Sequence, residues 1–229
     1  MASVGELLKT IRAGARRSLA RARRQGVIDD FHLLYYYGDT WQNTHWMGRR
    51  ILKCPLDLWQ YQDIIYTQRP DVILETGTAD GGSAAFLADI CELVGHGRIV
   101  TIDIDHSLQT LSKHDRISYL TGSSISDAIH DRIREEIAEA NTVLVLLDSD
   151  HSEAHVRQEL ERFQHYVTPG SYIIVEDTNV NGHPAGPNFG PGPMEAVRDF
   201  LNTTSSFKAD ATRERYLMTL NPSGYLRKS

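Results

Sequence analysis

The chain has 229 residues, of which 41% are hydrophobic, and a formal net charge of −6. This length allows one substantial core but is short for two full enzyme domains. No apolar run reaches the roughly 18 to 20 residues of a membrane-spanning helix, and no signal-peptide core follows the first residues, so we expect a soluble, cytoplasmic protein. The two cysteines, Cys54 and Cys91, are too far apart in sequence for the paired ligands of a zinc site, and a metal would need oxygen or imidazole ligands.

Charge is unevenly distributed along the chain. Residues 1–26 carry seven basic side chains and one acidic one, a net charge of +6 that leaves −12 for the remainder. An acidic body argues against a nucleic-acid partner. The basic segment predicts a solvated or self-associating helix, and contact with anionic lipid, a polyanion or an acidic partner stays open. We also expect a homodimer or a larger homo-oligomer, because aromatic N-terminal arms often mediate self-association.

The first 60 residues predict a helical and aromatic extension, and residues 61–229 predict the main domain. Residues 4–24 are rich in Ala, Leu and Arg and favour a helix that ends near Gly26. A second helix is predicted at residues 58–67. Aromatic side chains cluster nearby without regular alternation, which is typical of a cap or of a ligand cleft. They are Phe31, Tyr35, Tyr36, Tyr37, Trp41, Trp46 and Trp59.

Beyond residue 70, apolar strands alternate with amphipathic helices. This pattern predicts a Rossmann-like α/β fold with a mainly parallel, twisted sheet and helices on both faces. The predicted strands are residues 72–75, 98–103, 117–121, 142–148 and 172–177. The predicted helices are residues 82–93, 107–112, 126–138, 153–166 and 193–201. A Gly- and Pro-rich stretch, residues 178–193, predicts a lid or binding loop, and residues 216–220 predict a late edge strand.

The first strand runs through glycines into a helix, as in a nucleotide-binding crevice at the carboxyl end of a sheet. Its turn contributes four candidate cofactor-binding residues: Gly77, Thr78, Gly81 and Ser83. The second strand ends at Asp103, whose carboxylate can accept the hydrogen bonds of both ribose hydroxyls. After the third strand, Ser123 either lies beside the adenine ring or belongs to a plain turn without a ligand.

Two ligands fit such a crevice, a dinucleotide and S-adenosylmethionine. The loop lacks G-x-G-x-x-G, and Glu75 would repel a pyrophosphate but suits a cationic sulfonium ligand that carries an ammonium group. The sequence therefore favours S-adenosylmethionine over NAD. A tight glycine turn without any ligand is the structural alternative.

The fourth and fifth strands deliver acidic side chains to the same edge. Asp148 and His151 follow the fourth strand, and Glu176 and Asp177 follow the fifth. Three converging carboxylates repel one another unless a cation lies between them, and oxygen ligands favour Mg²⁺, with Mn²⁺ or Ca²⁺ as alternatives. His151 directly follows the acidic residues, where it could receive a proton from a coordinated hydroxyl.

A different metal site uses two histidines. His151 and His155 are four residues apart and, with Asp148, could imitate the two-histidine, one-carboxylate iron site of an oxygenase. A nucleotide-binding module without catalytic activity is a third possibility. These alternatives to a methyltransferase stay open on the residues alone.

Five segments taken together carry a family resemblance. They are YYYGDTW at 35–41, KCPLDLW at 53–59, PDVILETGT at 70–78, GGS at 81–83 and VED at 175–177. They resemble the cephalosporin hydroxylase family, which includes rhamnosyl and other sugar O-methyltransferases of bacterial natural-product and polysaccharide pathways. Despite the family name, the resemblance implies a class I methyltransferase fold, S-adenosylmethionine binding and metal-dependent methyl transfer.

The resemblance also implies roles for individual residues. It maps the metal onto Asp148, Glu176 and Asp177, which would bind Mg²⁺ or Mn²⁺, and it makes His151 the general base, with Asp148 beside it in the reaction. It maps the cofactor onto Glu75, Gly77, Asp103 and Ser123, with Asp148 at the same edge. The implied acceptor is a sugar hydroxyl of a bacterial oligosaccharide, polysaccharide precursor or glycosylated natural product. Trp41 and Trp46 either stack on that sugar or pack in the core.

Overall fold

The computed structural model describes residues 4–105 and 113–229. The helices are α1 Val4–Tyr37, α2 Pro55–Gln68, α3 Gly82–Val94, α4 Asp127–Glu136, α5 Glu153–Phe163 and α6 Pro193–Thr203. The strands are β1 His45–Trp46, β2 Arg49–Arg50, β3 Val72–Thr76, β4 Arg98–Asp103, β5 Ile117–Thr121, β6 Val143–Leu147, β7 Tyr172–Val175, β8 Phe207–Ala209 and β9 Tyr225–Lys228. Two 3-10 helices lie at Thr40–Asn43 and Ala211–Glu214.

Seven strands form one sheet in the order β5-β4-β3-β6-β7-β9-β8. The five strands from β5 to β7 are parallel, whereas β9 runs antiparallel to β7 and to β8. The chain moves from β3 to β4 on one side and returns to β6 on the other side of β3. This reversal opens a crevice at the carboxyl ends of β3 and β6. The predicted Rossmann-like α/β fold is confirmed.

Burial on both faces explains the continuous apolar runs of the central strands. Every residue of β3, β6 and β7 is buried. One core cluster packs against α2 and α3 and includes Ile65 and Phe86, and the other packs against α4, α5 and α6 and includes Ile133 and Phe163. Strands covered by helices on both faces lose the polar and apolar alternation of half-exposed strands.

Three details of the predicted element pattern differ from the structure or lie outside it. Helix α1 continues through Gly26 to Tyr37, and the chain turns at Gly38, whose N–H donates to the Leu34 carbonyl at 3.0 Å. The late strand predicted at residues 216–220 is wrong, because this segment is a loop and the late antiparallel strands are β8, at the edge of the sheet, and β9, between β7 and β8. The helix predicted at residues 107–112 lies outside the described residues.

The N-terminal region is not separated from the sheet by a linker at residue 60. Helix α2 passes through this position, and its residues Tyr61 and Ile64 are buried in the core. The division into residues 1–60 and 61–229 stays a prediction. Within the part of the chain that the structure describes, no helix is long and apolar enough to cross a membrane.

A buried carboxylate ties α2 to the end of the chain. Asp57 Oδ1 accepts hydrogen bonds from Thr219 Oγ1 at 2.5 Å and from the Tyr225 hydroxyl at 2.8 Å. Its Oδ2 accepts from the Leu220 backbone N–H at 2.8 Å. Three donors converge on one acceptor group, which explains why apolar residues before β9 are held in a buried loop rather than in a strand.

We expect Asp57→Asn to lower the free energy of unfolding by about 1 to 3 kcal/mol, because the amide presents N–H groups to donors and leaves buried polar groups unsatisfied. Urea denaturation at pH 7 measures this loss. Asp131→Asn is the control: Asp131 is exposed and pairs with Arg134 on the surface, and its replacement should change stability by less than about 0.5 kcal/mol. Equal losses in the two variants would contradict the assigned role of Asp57.

Candidate functional site

The carboxyl edge of the parallel sheet gathers most of the residues that the sequence singles out. Glu75 lies near the end of β3 and Asp103 ends β4, while Asp148 follows β6 and Asp177 follows β7. Since β3 pairs with both β4 and β6, and β6 pairs with β7, these side chains come from four adjacent strands. The structure thus brings together the predicted cofactor edge and the predicted acidic edge.

The turn after β3 requires glycine at its first position. Gly77 has a φ of 84°, and a Cβ atom built there would lie 1.9 Å from the backbone oxygen of Asp148. The turn is fixed on its other side by Ala79, whose N–H donates to Asp103 Oδ2 at 3.0 Å. Gly81, with a φ of 74°, is the N-cap of α3. The turn after β3 therefore passes directly against the backbone that follows β6, and no side chain fits between them.

Glu75 lies beneath this turn and is completely buried. Its Oε2 accepts from Thr101 Oγ1 at 2.6 Å, and its Oε1 has no hydrogen-bond partner among the described residues. Burial raises the pKa of Glu75, and the nearby Lys53 ammonium and Ser83 hydroxyl oppose this rise. A buried acceptor atom without a donor suits a ligand that brings its own N–H groups.

Most of the predicted cofactor residues line two adjoining cavities. A cavity of about 380 Å³ is lined by Gly77, Asp103, Ser123 and Asp148 among others. A second cavity, of about 180 Å³, shares Gly77 and Asp148 with the first and adds Thr78 and Ser83. Together they form one trough across the ends of β4, β3 and β6. Of the predicted cofactor residues, Glu75 and Gly81 line neither cavity: Glu75 is buried at the end of β3, and Gly81 is the N-cap of α3.

A group of three possible metal ligands stands at the end of this trough. Asp148, His151 and Asp177 each offer one ligand atom, and these atoms lie within 4.8 Å of one another. His151 Nε2 is 3.4 Å from Asp177 Oδ2. Burial raises the pKa of Asp177 to about 6, and the Asp148 carboxylate adds to the rise while His151 opposes it. Carboxylates held this close are stabilised by a bound cation.

Lys53 is the site residue that the sequence analysis missed. It is only 3% exposed, and its Nζ donates to Asp148 Oδ2 at 2.5 Å and to Glu176 Oε2 at 2.8 Å. The Asp148 and Glu176 carboxylates raise its pKa against the opposing effect of burial. The signal in the sequence was a lysine inside the apolar segment ILKCPL, at residues 51–56, where a lysine needs a buried partner.

Glu176 stands apart from the three possible ligands in this arrangement. Burial raises its pKa well above the usual range although Lys53 lowers it, and its Oε1 is buried without a hydrogen-bond partner. The membership of Glu176 in the metal site stays a prediction. An unpaired buried carboxylate oxygen beside Asp148 and Asp177 is consistent with a cation ligand.

The two-histidine iron site is not assembled. His155 Nε2 lies 3.2 Å from Ser124 Oγ and 3.6 Å from Glu159 Oε1. It lines the 380 Å³ cavity, whereas His151 belongs to the group at the far end of the trough. Within residues 4–105 and 113–229, the one ligand group of three or more side chains contains a single histidine.

The two tryptophans that the sequence left undecided have different surroundings. Trp41 stacks with Tyr36 at a ring distance of 6.3 Å, and both line a cavity of about 140 Å³ together with His151 and Asp177. Trp46 instead packs edge-on against Phe86 at 4.9 Å and donates from Nε1 to Asp89 Oδ2 at 2.7 Å. Trp41 therefore faces the site, and Trp46 is a packing residue.

The comparisons with known proteins point to one family. The family model described as "Rhamnosyl O-methyltransferase/CmcI" matches residues 38–229. A curated rhamnosyl O-methyltransferase of Mycobacterium tuberculosis is 33% identical over 231 residues, covering 97% of this chain and 94% of the relative. A rhamnosyl O-methyltransferase of Mycobacterium leprae is 34% identical over 205 residues, covering 87% of this chain and 90% of the relative.

Solved structures agree on the fold. A CmcI structure described as "cmcI-D160 Mg-SAM" superposes with a TM-score of 0.65 at 22% identity, covering 82% of this chain and 77% of that chain. A cofactor-bound Rv0187 structure superposes with a TM-score of 0.52 at 17% identity, covering 69% of this chain and 72% of that chain. At these identities the likeness supports the class I methyltransferase fold alone.

We expect Gly77→Ala to abolish binding of S-adenosylhomocysteine and to destabilise the chain, because the new Cβ collides with the Asp148 backbone. Gly170→Ala is the matched control: Gly170 has a φ of 83°, and a Cβ there meets nothing within 4 Å. The control should lose only the roughly 1 to 2 kcal/mol of a left-handed alanine and keep its affinity. Calorimetry and urea denaturation measure both effects, and similar behaviour of the two variants would contradict the collision.

Proposed function

Because the chain belongs to the rhamnosyl O-methyltransferase/CmcI family, we propose that it transfers a methyl group from S-adenosylmethionine to a sugar hydroxyl with the help of a divalent cation, Mg²⁺ or Mn²⁺. The predicted family and the predicted class of enzyme are confirmed by the match over residues 38–229 and by the two mycobacterial relatives. One observation carries the mechanism: the cofactor trough ends at the Asp148, His151 and Asp177 group.

The cofactor would lie along the trough. Asp103 would accept the ribose hydroxyl hydrogens, and Ser123 would lie beside the adenine in the 380 Å³ cavity. The buried Glu75, whose Oε1 lacks a donor, would attract the ammonium group of the methionine part. Gly77 lets the turn pass against the Asp148 backbone, and because both residues line the trough, the methyl group would lie near Asp148.

The chemistry of the donors fits a divalent cation. Asp148, Glu176 and Asp177 would hold it, with His151 at the edge of the group, since hard cations prefer oxygen ligands. When bound, such a cation lowers the pKa of a sugar hydroxyl and stabilises the developing alkoxide.

His151 is placed to receive the proton of the attacking hydroxyl. Its side chain is 38% exposed and lines both the 180 Å³ and the 140 Å³ cavity, and its Nε2 lies 3.4 Å from Asp177 Oδ2. Asn181 Nδ2 donates to the His151 backbone oxygen at 3.3 Å and helps to fix this segment. As the hydroxyl proton moves to His151, the oxygen forms a bond to the methyl carbon and the carbon–sulfur bond breaks. Alignment of the two reactants in the trough supplies much of the rate.

The acceptor would occupy the 140 Å³ cavity behind His151. Tyr36 and Trp41 present aromatic surface there, and such surface suits the apolar face of a sugar ring while its hydroxyls point to Asp177 and His151. Since both mycobacterial relatives are named rhamnosyl O-methyltransferases, a rhamnosyl residue of a bacterial glycan is the acceptor that we propose first.

The charge of the chain and the exposed side chains of α1 bear on its oligomeric state and on its partners. We propose a cytoplasmic homo-oligomer without a nucleic-acid partner, because the chain beyond residue 26 carries a net charge of −12 and helix α1 exposes Phe31, Leu34 and Tyr37. Sedimentation analysis of the purified chain tests the oligomer.

Incubation with methyl-labelled S-adenosylmethionine and short rhamnosides, in Mg²⁺ and in chelator, tests the proposed function. We expect label in the sugar only with the divalent cation present. Equal transfer in chelator would remove the cation from the mechanism. Turnover of 2-oxoglutarate with iron would favour an oxygenase, and cofactor binding without transfer to any sugar would favour a binding module.

We expect His151→Ala to lower kcat by about 10² to 10⁴-fold, since a positioned general base contributes about that much, without changing the affinity for S-adenosylhomocysteine. His165→Ala is the control, because His165 is exposed on the surface away from the trough. Steady-state kinetics and calorimetry measure the two quantities. Full activity of His151→Ala would show that another group takes the proton.

We expect Trp41→Ala to raise the KM for the sugar by about fivefold, because an aromatic contact contributes about 1 kcal/mol beyond its buried area. Trp59→Ala removes a tryptophan that is 61% exposed and lines none of the three cavities of the site, so its KM should stay that of the wild type. If Trp41→Ala lowers the affinity for S-adenosylhomocysteine instead, Trp41 belongs to the cofactor site.

A further inference from the structure

Lys53 is a buried cation that the proposed reaction does not use. It lies between β2 and α2, next to Cys54 at the start of α2, and is only 3% exposed. A lysine this deep is rare unless it is paired, and its ammonium group loses hydration that only close partners can replace.

The partners of Lys53 are two of the three carboxylates expected to hold the divalent cation. Asp148 binds its ammonium through Oδ2 at 2.5 Å and Glu176 through Oε2 at 2.8 Å. Glu176 keeps its other oxygen, Oε1, buried without a partner, and Asp148 also belongs to the ligand group with His151 and Asp177. Lysine and a cation can thus share the same carboxylates.

Four ionised carboxyl groups at this edge would outweigh the single lysine ammonium group beside them. Glu75, Asp148, Glu176 and Asp177 contribute four carboxyl groups. Among the described residues, Lys53 is the one lysine whose ammonium group contacts any of them, and it contacts Asp148 and Glu176. One positive charge offsets a part of the repulsion. The same charge repels a divalent cation that approaches Asp148 and Glu176.

We propose that Lys53 is a built-in counter-cation: it holds Asp148 and Glu176 in place when no divalent cation is bound, and it weakens the binding of that cation. It is a positioning residue, which lets the chain fold without metal and exchange the metal reversibly. The inference rests on the proposed function for the presence of a divalent cation at this site.

Thermal unfolding of Lys53→Met in chelator and in Mg²⁺ tests this role, because methionine has an unbranched side chain only one atom shorter and carries no charge. In chelator we expect Tm to fall by about 10 °C, since a buried carboxylate pair is left without its partner. Saturating Mg²⁺ should restore at least half of that loss. Calorimetry should give a Kd for Mg²⁺ at least about tenfold lower than that of the wild type.

Several results would contradict the proposed role of Lys53. A merely structural lysine would give the same loss of Tm in chelator and in Mg²⁺, and a lysine that orients the ligands for the metal would give weaker Mg²⁺ binding; either result overturns the proposal. A wild type that binds no divalent cation would overturn both this inference and the cation of the proposed function. A wild type that binds Mg²⁺, with a variant insensitive to it, would overturn the inference alone.

Two further variants separate the proposed role of Lys53 from a general loss of stability. The double variant Lys53→Met/Glu176→Gln removes the charge of Lys53 and that of Glu176, so its Tm in chelator should exceed that of Lys53→Met. A double variant no more stable than the single one would overturn the proposal, even if Lys53→Met itself does not fold. Arg98→Met breaks the partly exposed pair of Arg98 with Glu136 at 2.6 Å, and its loss of Tm should not depend on Mg²⁺.

Discussion

Four carboxyl groups meet at the carboxyl edge of the sheet, and their mutual repulsion has to be offset by positive charge. Glu75, Asp148, Glu176 and Asp177 are buried or half-buried, so water screens them poorly. Lys53 supplies one positive charge. A divalent cation and a cationic methyl donor would supply more, and one edge of one sheet would then hold the proposed cofactor, metal and base together.

The sheet holds these acidic side chains close together because its central strands are buried and are fixed by hydrogen bonds to their neighbours. Strands β3, β6 and β7 are buried along their whole length, and the hydrogen bonds of the sheet fix where each ends. Gly77 lets the turn after β3 pass against the backbone of Asp148. Apolar packing therefore contributes the free energy that places the acidic side chains next to one another.

Local sequence patterns predicted the parts of the fold and of the site that depend on local chemistry. Apolar runs that end in Asp or Glu identified β4, β6 and β7, and the glycines after Glu75 identified the turn between β3 and α3. The resemblance to the family is confirmed, whereas the roles of the individual site residues stay predictions. The loop at residues 216–220 was misassigned because its conformation depends on Asp57, about 160 residues earlier. Lys53 was missed for the same reason, since its partners are distant in sequence.

Calorimetric titration of the purified chain with S-adenosylhomocysteine and with NAD⁺, each in Mg²⁺ and in chelator, tests the central claim most directly. If the acidic edge selects a ligand with an ammonium group, the chain should bind S-adenosylhomocysteine and should show no measurable binding of NAD⁺. Binding of NAD⁺ without binding of S-adenosylhomocysteine would contradict the interpretation of Glu75 and of the glycine turn, and with it the proposed reaction.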